Sequence, residues 1–291
     1  MTEILVTGGT GQLATALAAA APARVRVVGR PAMDFDRPDT LDALFDRPPA
    51  ILVNAAAWTA VDAAEAEPDA ARRANTDGPA RLAALCQRHG TRFIHLSTDY
   101  VFDGAKAAPY VEDDPTNPTG VYGATKLDGE HAVRAACPGA VILRTAWVYA
   151  TGGRNFVRTM LNAARKTDRL RVVADQRGNP TNADDLAQAV LTVADALRDG
   201  APGGLFHAAG SGDTTWHGFA EAIFAAARPH GWPVPEVQAI STADWPTPAR
   251  RPADSRLDCT SLRQAFGVRL PDWQPSLDRA VAAICASAVA A

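Results

Sequence analysis

Tyr122 and Lys126, four positions apart in Tyr-Gly-Ala-Thr-Lys, are the pair in this chain best suited to moving a proton. On a helix that spacing puts both side chains on one face. A phenol with a reference pKa of about 10 is a poor acid-base group at neutral pH, and a neighbouring ammonium favours phenolate and draws that pKa down. The same lysine is also able to hydrogen-bond the ribose of a nicotinamide nucleotide. Solvated helix faces carry this spacing too, so the pair needs company. It has it in Ser97-Thr98-Asp99, which ends the apolar run Phe93-Ile94-His95-Leu96. Ligands of open α/β sheets bind beyond the carboxyl ends of strands, which puts the Thr98 hydroxyl where a carbonyl oxygen would be held. Thr98, Tyr122 and Lys126 together make the triad of a reductase.

A reductase needs a hydride carrier, and the chain opens on a place for one. Ile4-Leu5-Val6 runs into Thr7-Gly8-Gly9-Thr10-Gly11-Gln12-Leu13-Ala14 and then an Ala-rich stretch. A tight turn at Gly8 and close backbone approach at Gly11 would bring a pyrophosphate onto the N–H groups of a helix start. An ordinary strand-helix turn also contains such glycines; the position after an N-terminal strand and before a helix is what favours a dinucleotide. The second strand should end at the adenosine ribose, where an acid holds the 2′-hydroxyl of NAD and an arginine suits the 2′-phosphate of NADP. Gly29-Arg30 stands there, so NADPH is the expected cofactor, with NADH accepted second. Arg30 also fits a solvated loop.

The elements that would position these groups alternate strand and helix, the pattern of a parallel sheet covered on both faces. Strands are expected at 3–6, 24–28, 51–53, 92–96, 141–144, 170–173 and 205–207, as short apolar runs rather than alternating ones. Helices are expected at 63–88, 121–136 and 183–198. The fold class is α/β, a Rossmann-type doubly wound parallel sheet with a smaller C-terminal α/β substrate lobe. Residues 1–150 form the cofactor domain with 170–210 returning to it, and 151–169 with 211–291 form the lobe. Pro229, Trp232, Pro233, Pro235, Trp245, Pro246 and Pro248 mark a loop-rich lobe closing over the sheet.

Composition narrows the class further. With 47% hydrophobic and 21% charged residues the chain is an ordinary packed globular protein. A net charge of -3 points to neither a nucleic acid nor a membrane-surface partner. No basic n-region precedes Ile4, so a signal peptide is not expected, and no apolar run is long enough to span a bilayer. Cys86, Cys137, Cys259 and Cys285 lie far apart without metal-ligand spacing, which argues for small buried thiols in a reducing, cytoplasmic compartment.

Across nearly its whole length the chain resembles the extended short-chain dehydrogenase/reductases, and within them the dTDP-4-dehydrorhamnose reductases. The resemblance rests on Thr7 to Leu13, on Asn54 to Asp62, and above all on Ser-Thr-Asp-Tyr-Val-Phe-Asp-Gly at 97–104. It continues through Asn117-Pro118, Val121 to Lys126, Arg144 to Tyr149, Asn155-Phe156-Val157, Asp175-Gln176, Gly178, Pro180-Thr181, Arg251-Pro252 and Ser255. It implies that Gly8, Thr10, Gly11, Gln12 and Leu13 line the cofactor pyrophosphate and that Asp34 and Phe35 sit at the adenine. Ala57, Trp58 and Thr59 would flank the cofactor at the third strand end. Thr98 and Asp99 would contact the sugar and Trp147 would pack against it, although an aromatic beside a strand is more often core. Asn155, Gln176 and Arg251 would hold the nucleotide and its diphosphate; Arg250 and Arg251 also fit a solvated pair. The implied reaction is NADPH-dependent reduction of the 4-keto group of dTDP-4-dehydro-L-rhamnose to dTDP-L-rhamnose, with Tyr122 and Lys126 also contacting the cofactor.

Two departures qualify the resemblance. Arg30 stands where some members carry an acid, in line with NADPH. Some members dimerise through magnesium held by glutamates, one of them in the first helix; here residues 12–21 contain no acid and no Glu follows Glu236. No metal is therefore expected, and the chain should be a monomer or a metal-free homodimer. The enzymatic alternative is an epimerase or dehydratase on the same fold: Asp99 offers the acid an elimination needs, whereas an epimerase would favour an acid over Arg30. Outside enzymes, a non-catalytic subunit binding NADP and a partner enzyme is the alternative, and such relatives tend to lose the Tyr-Lys pair that is intact here.

Overall fold

A computed structural model describes residues 3–289 of the chain. Five strands near the N-terminus, β1 (Ile4–Thr7), β2 (Val25–Val28), β3 (Ile51–Asn54), β4 (Arg92–Thr98) and β5 (Val141–Thr145), join the strand Gly204–His207 in one sheet. The order across the sheet is Gly204–His207, β5, β4, β3, β1, β2, and every pairing is parallel. This is the doubly wound Rossmann-type fold. β1 and β3 are buried at every residue, the consequence of apolar runs with a covered face on each side. Successive side chains then go to opposite layers. Ile4 and Val6 pack with Leu13, Leu17, Leu186 and Val190 on one face, and Leu5 packs with Leu82, Cys86 and Val133 on the other.

The chain leaves β1 for β2 on one side and reaches β3 on the other, so the strand order reverses at β1. Such a switch point opens a crevice at the carboxyl ends of the strands. Helix α1 (Gln12–Ala20) begins in that crevice with Gly11 as its N-cap and no side-chain cap, leaving its first N–H groups to a ligand.

Three expectations need correction. The strand at 169–173 lies outside the six-stranded sheet and pairs in parallel with Glu236–Ile240. Its apolar run signals a strand, but nothing local tells which sheet takes it; the return to the main sheet begins only with Ala183–Arg198, which packs on α1. The helix over 63–88 is broken into Val61–Ala66, Pro68–Arg72, a wide π-type turn at Arg73–Asp77 and Gly78–His89. Pro68 opens the second piece, and Pro79 has no N–H to offer the Asn75 carbonyl, so the ladder breaks there. The lobe after residue 228 is also less loop-rich than its prolines signal. Helices Trp273–Val289 and Phe156–Ala164 both pack against Trp216–Ala227 in a core that includes Phe219, Ile223, Leu277 and Val281. Among the described residues no helix is long and apolar enough to cross a membrane.

Candidate active site

A cleft of about 1180 Å3 runs across the carboxyl ends of β1, β3 and β4. Its floor is the glycine turn. Gly8 has φ +112, and a Cβ there would stand 3.0 Å from the Ala55 carbonyl carbon and oxygen, so only glycine lets the turn lie against the end of β3. A Cβ on Gly29 would come 2.6 Å from the Gly9 Cα, which binds the end of β2 to the same turn. Gly8, Thr10, Gly11, Gln12 and Leu13 line this end, with Ala57, Trp58 and Thr59 on the far wall and Arg30, Asp34 and Phe35 beyond. Asn75, fully buried, fixes the far wall: its Oδ1 accepts from the Trp58 N–H at 2.9 Å, and its Nδ2 donates to the Trp58 carbonyl at 3.2 Å and to Thr125 Oγ1 at 3.1 Å. Asn75 lies in the wide turn at Arg73–Asp77.

Thr98, Tyr122 and Lys126 all line the cleft. Thr98 is the last residue of β4; its hydroxyl donates to Asp99 Oδ1 at 3.1 Å and accepts from the Tyr100 N–H at 3.2 Å. Tyr122 is the second residue of helix Val121–Ala136, whose first N–H donates to Glu65 at 2.8 Å, and its ring packs edge-on against Tyr100 at 5.5 Å. Burial pushes the Tyr122 phenol up to about 12, the hydrogen bond with Thr98 pulls it back, and the Asp99 charge adds to the rise. Lys126, one turn on and 2% exposed, donates from Nζ to the Leu96 carbonyl at 2.6 Å. Burial lowers it to about 8, opposed by the Glu130 carboxylate. The sequence leads us to expect that the Lys126 ammonium draws the Tyr122 pKa down; in the structure the ammonium donates to the Leu96 carbonyl, and burial is the largest influence on the phenol.

Asp99 is buried and lines the same cleft, and burial lifts its carboxyl to about 6 against hydrogen bonds from Ser255 and Thr98. Its Oδ2, together with Gln12 Oε1 and Thr145 Oγ1, is buried without a hydrogen-bond partner, and all three residues face the cleft. Orphaned polar atoms of this kind call for a polar occupant. With the glycine cradle and the uncapped α1 start, they fit a dinucleotide beside a hydroxyl-rich ligand.

Trp147, in the left-handed region at φ +46, lines the same cleft. It is held there from both sides: its ring stacks on Trp216 at 3.5 Å and 7°, and a Cβ on Gly178 would come 2.5 Å from its Cε2. Asn155 lines the cleft as N-cap of Phe156–Ala164, accepting from the Arg158 N–H at 3.1 Å. Gln176 and Arg251 do not line it. Gln176 is buried and donates to Thr242 Oγ1 at 3.0 Å, and Arg251 forks onto Asp62 at 3.0 and 2.8 Å. Asp36, Arg73, Arg154 and Trp216 line the cleft unforeseen. Trp216 had a signal of a kind, an aromatic followed by Phe219 at helical spacing, but only the fold brings it onto Trp147.

Comparison with known proteins agrees with this geometry. Residues 1–285 match the model of the RmlD substrate binding domain. A dTDP-4-dehydrorhamnose reductase of Sinorhizobium fredii is 47% identical over 288 residues, 97% of each chain. The chain belongs to the dTDP-4-dehydrorhamnose reductase family. Among solved structures of this family, the Clostridium acetobutylicum protein superposes with a TM-score of 0.91 at 36% identity, covering 97% of this chain and 99% of that one. The Bacillus anthracis reductase, solved in complex with NADP, gives a TM-score of 0.89 at 31% identity over 96% and 98%. For a family member, the triad of Thr98, Tyr122 and Lys126 sits on the strand end and helix that its sequence motifs mark.

Proposed function

We propose that this chain reduces the 4-keto group of dTDP-4-dehydro-L-rhamnose to dTDP-L-rhamnose, with NADPH as hydride donor. The observation that carries the reading is the single cleft that joins Thr98, Tyr122 and Lys126 to an uncapped glycine turn. NADPH, when bound, supplies the hydride to C4. Tyr122 hands its phenolic proton to the ketone oxygen, and the Thr98 hydroxyl turns from Asp99 Oδ1 to donate to the same oxygen. Two donors aimed at the developing alkoxide favour the transition state over the ketone. Holding ketone and nicotinamide together supplies much of the remaining acceleration. Lys126 is held against β4 through Leu96 and, lining the same cleft, would hydrogen-bond the cofactor ribose. Trp147 on Trp216 forms the wall for the sugar, with Asp99 and Asn155 as polar contacts.

In this reading residues 1–150 with 183–210 make the cofactor part, and the remainder the substrate lobe. The substrate is a nucleotide sugar, with no nucleic-acid or membrane partner, and the protein works in the cytoplasm as a monomer or metal-free homodimer. The test is NADPH oxidation followed at 340 nm with dTDP-4-dehydro-L-rhamnose, in wild type and Tyr122→Phe. Turnover by the wild type, lost by about 10²-fold or more in the variant while NADPH still binds, supports it. NADPH binding without turnover of any nucleotide sugar points to the non-catalytic subunit instead. Loss of water from the sugar, dependent on Asp99, would make the chain a dehydratase.

A further inference from the structure

The cleft ends, beyond the glycine turn, in four charged side chains of which the sequence pointed to two. Arg30 donates from Nε to Asp34 Oδ1 at 2.9 Å and from Nη2 to Asp36 Oδ2 at 2.8 Å. Arg73 donates from Nε to the other Asp36 oxygen at 2.7 Å. All four line the cleft. The Asp36 carboxylate is thus clamped between two guanidiniums, one from the end of β2 and one from the wide turn that delivers Asn75.

We infer that Asp36 occupies the seat of the cofactor's 2′-phosphate, that Arg30 and Arg73 form the two sides of that seat, and that Asp36 sets how strongly NADPH is preferred over NADH. The inference rests on the proposed use of a nicotinamide dinucleotide. The four charges cancel, so a 2′-hydroxyl leaves the cluster undisturbed, whereas a 2′-phosphate must displace the carboxylate to reach the guanidiniums. A phosphate carries more charge than a carboxylate and one more acceptor oxygen, so it wins that exchange by a limited margin. Asp34 is not the displaced group. Its side chain is 17% exposed and closes its own turn, accepting from the Asp36 N–H at 3.1 Å; the Asp36 side chain is 47% exposed, and two arginines are its only partners among the described residues.

The backbone beneath the seat is held in place by packing. Phe35 lies against Gly78, where a Cβ would stand 2.0 Å from the ring, and Gly129 lies against Asn75, where a Cβ would stand 2.1 Å from its carbonyl oxygen. Neutralising Asp36 therefore leaves in place the backbone that carries both arginines.

Dissociation constants for NADPH and NADH, measured by nucleotide fluorescence without sugar substrate, test this in wild type, Asp36→Asn and Arg73→Ala. Asp36→Asn should tighten NADPH by about 5-fold and leave NADH within about twofold, the scale of one half-exposed ion pair. Arg73→Ala should weaken NADPH by a similar factor and spare NADH, and both effects should shrink in high salt. Equal shifts for the two cofactors, or weaker NADPH binding by Asp36→Asn, would overturn the inference and leave the proposed reaction standing. A wild type that binds neither cofactor would overturn both.

Discussion

Lys126 gives its ammonium to the carbonyl oxygen of Leu96, 2.6 Å away, and so ties the catalytic helix to the strand that ends in Thr98. The contact is buried, and burial lowers the lysine to about 8. Below that pH the ammonium holds β4 and, in the proposed reaction, would meet the ribose as a cation; above it the group is a neutral amine and loses the charge for both tasks. Since kcat/KM reports the free enzyme, its profile should fall on the alkaline side of a pKa near 8. A pH series from 6 to 10 with NADPH and sugar checks it, and a flat profile to pH 10 would contradict it.

Asp99 should be a site where activity and stability oppose each other. Its carboxyl is lifted by burial from 3.8 to about 6, so the folded chain binds that proton more tightly than the unfolded one. The group's contribution is then favourable below about pH 4 and is lost as pH rises through 6. At pH 7.5 Asp99→Asn removes a buried charge and should raise the unfolding free energy by roughly 1–3 kcal/mol, an advantage that vanishes near pH 4. Turnover should fall because Thr98 loses its carboxylate partner. Urea unfolding of both proteins at the two pH values, with assays alongside, is the measurement; equal gains at both pH values would refute it.

How far the sequence foretold this site depends on how local each signal was. The glycine turn, Thr98, Tyr122 and Lys126 were legible because strand end, turn and helix start are fixed within a few residues. The six strands of the main sheet were legible for the same reason, as runs buried on both faces. The present partners of Arg251 and Gln176, Asp62 and Thr242, could not be read locally, because each lies over 60 positions away in the chain. Asp36 and Arg73 were missed because each is an ordinary surface charge until the turn at Arg73–Asp77 folds it against the end of β2. The strand at 169–173 was seen and misplaced, since periodicity gives an element's type and not its neighbour.

Trp147 owes its left-handed backbone to Trp216. A non-glycine residue at φ +46 costs roughly 1–2 kcal/mol, and the stacked partner at 3.5 Å is what offsets it. Trp216→Ala should free the Trp147 ring and open the sugar wall. KM for the nucleotide sugar should rise about 10-fold with a smaller change in kcat, the pattern of lost ground-state binding. NADPH affinity, set at the other end of the cleft, should not move. A fall in kcat at unchanged KM would mean that Trp147 acts on the chemistry rather than on the wall.

Glu130, one turn beyond Lys126, carries a structural and an electrostatic task that a pair of variants can separate. Its carboxylate accepts from Arg144 Nε at 2.9 Å and Nη2 at 2.7 Å and from the Ser97 hydroxyl, with both charged side chains 3% exposed or less. Glu130→Gln strands the Arg144 charge in the interior and should cost roughly 3–5 kcal/mol. Glu130→Leu with Arg144→Met removes both charges and should recover most of that stability, since an apolar pair of similar volume is tolerated where a lone charge is not. The double variant still lacks the carboxylate that opposes the drop in the Lys126 pKa. Its kcat/KM should therefore turn down at a lower pH than the wild type, while its unfolding curve stays close. If stability returns and the alkaline limb stays at its wild-type position, Glu130 serves the fold alone.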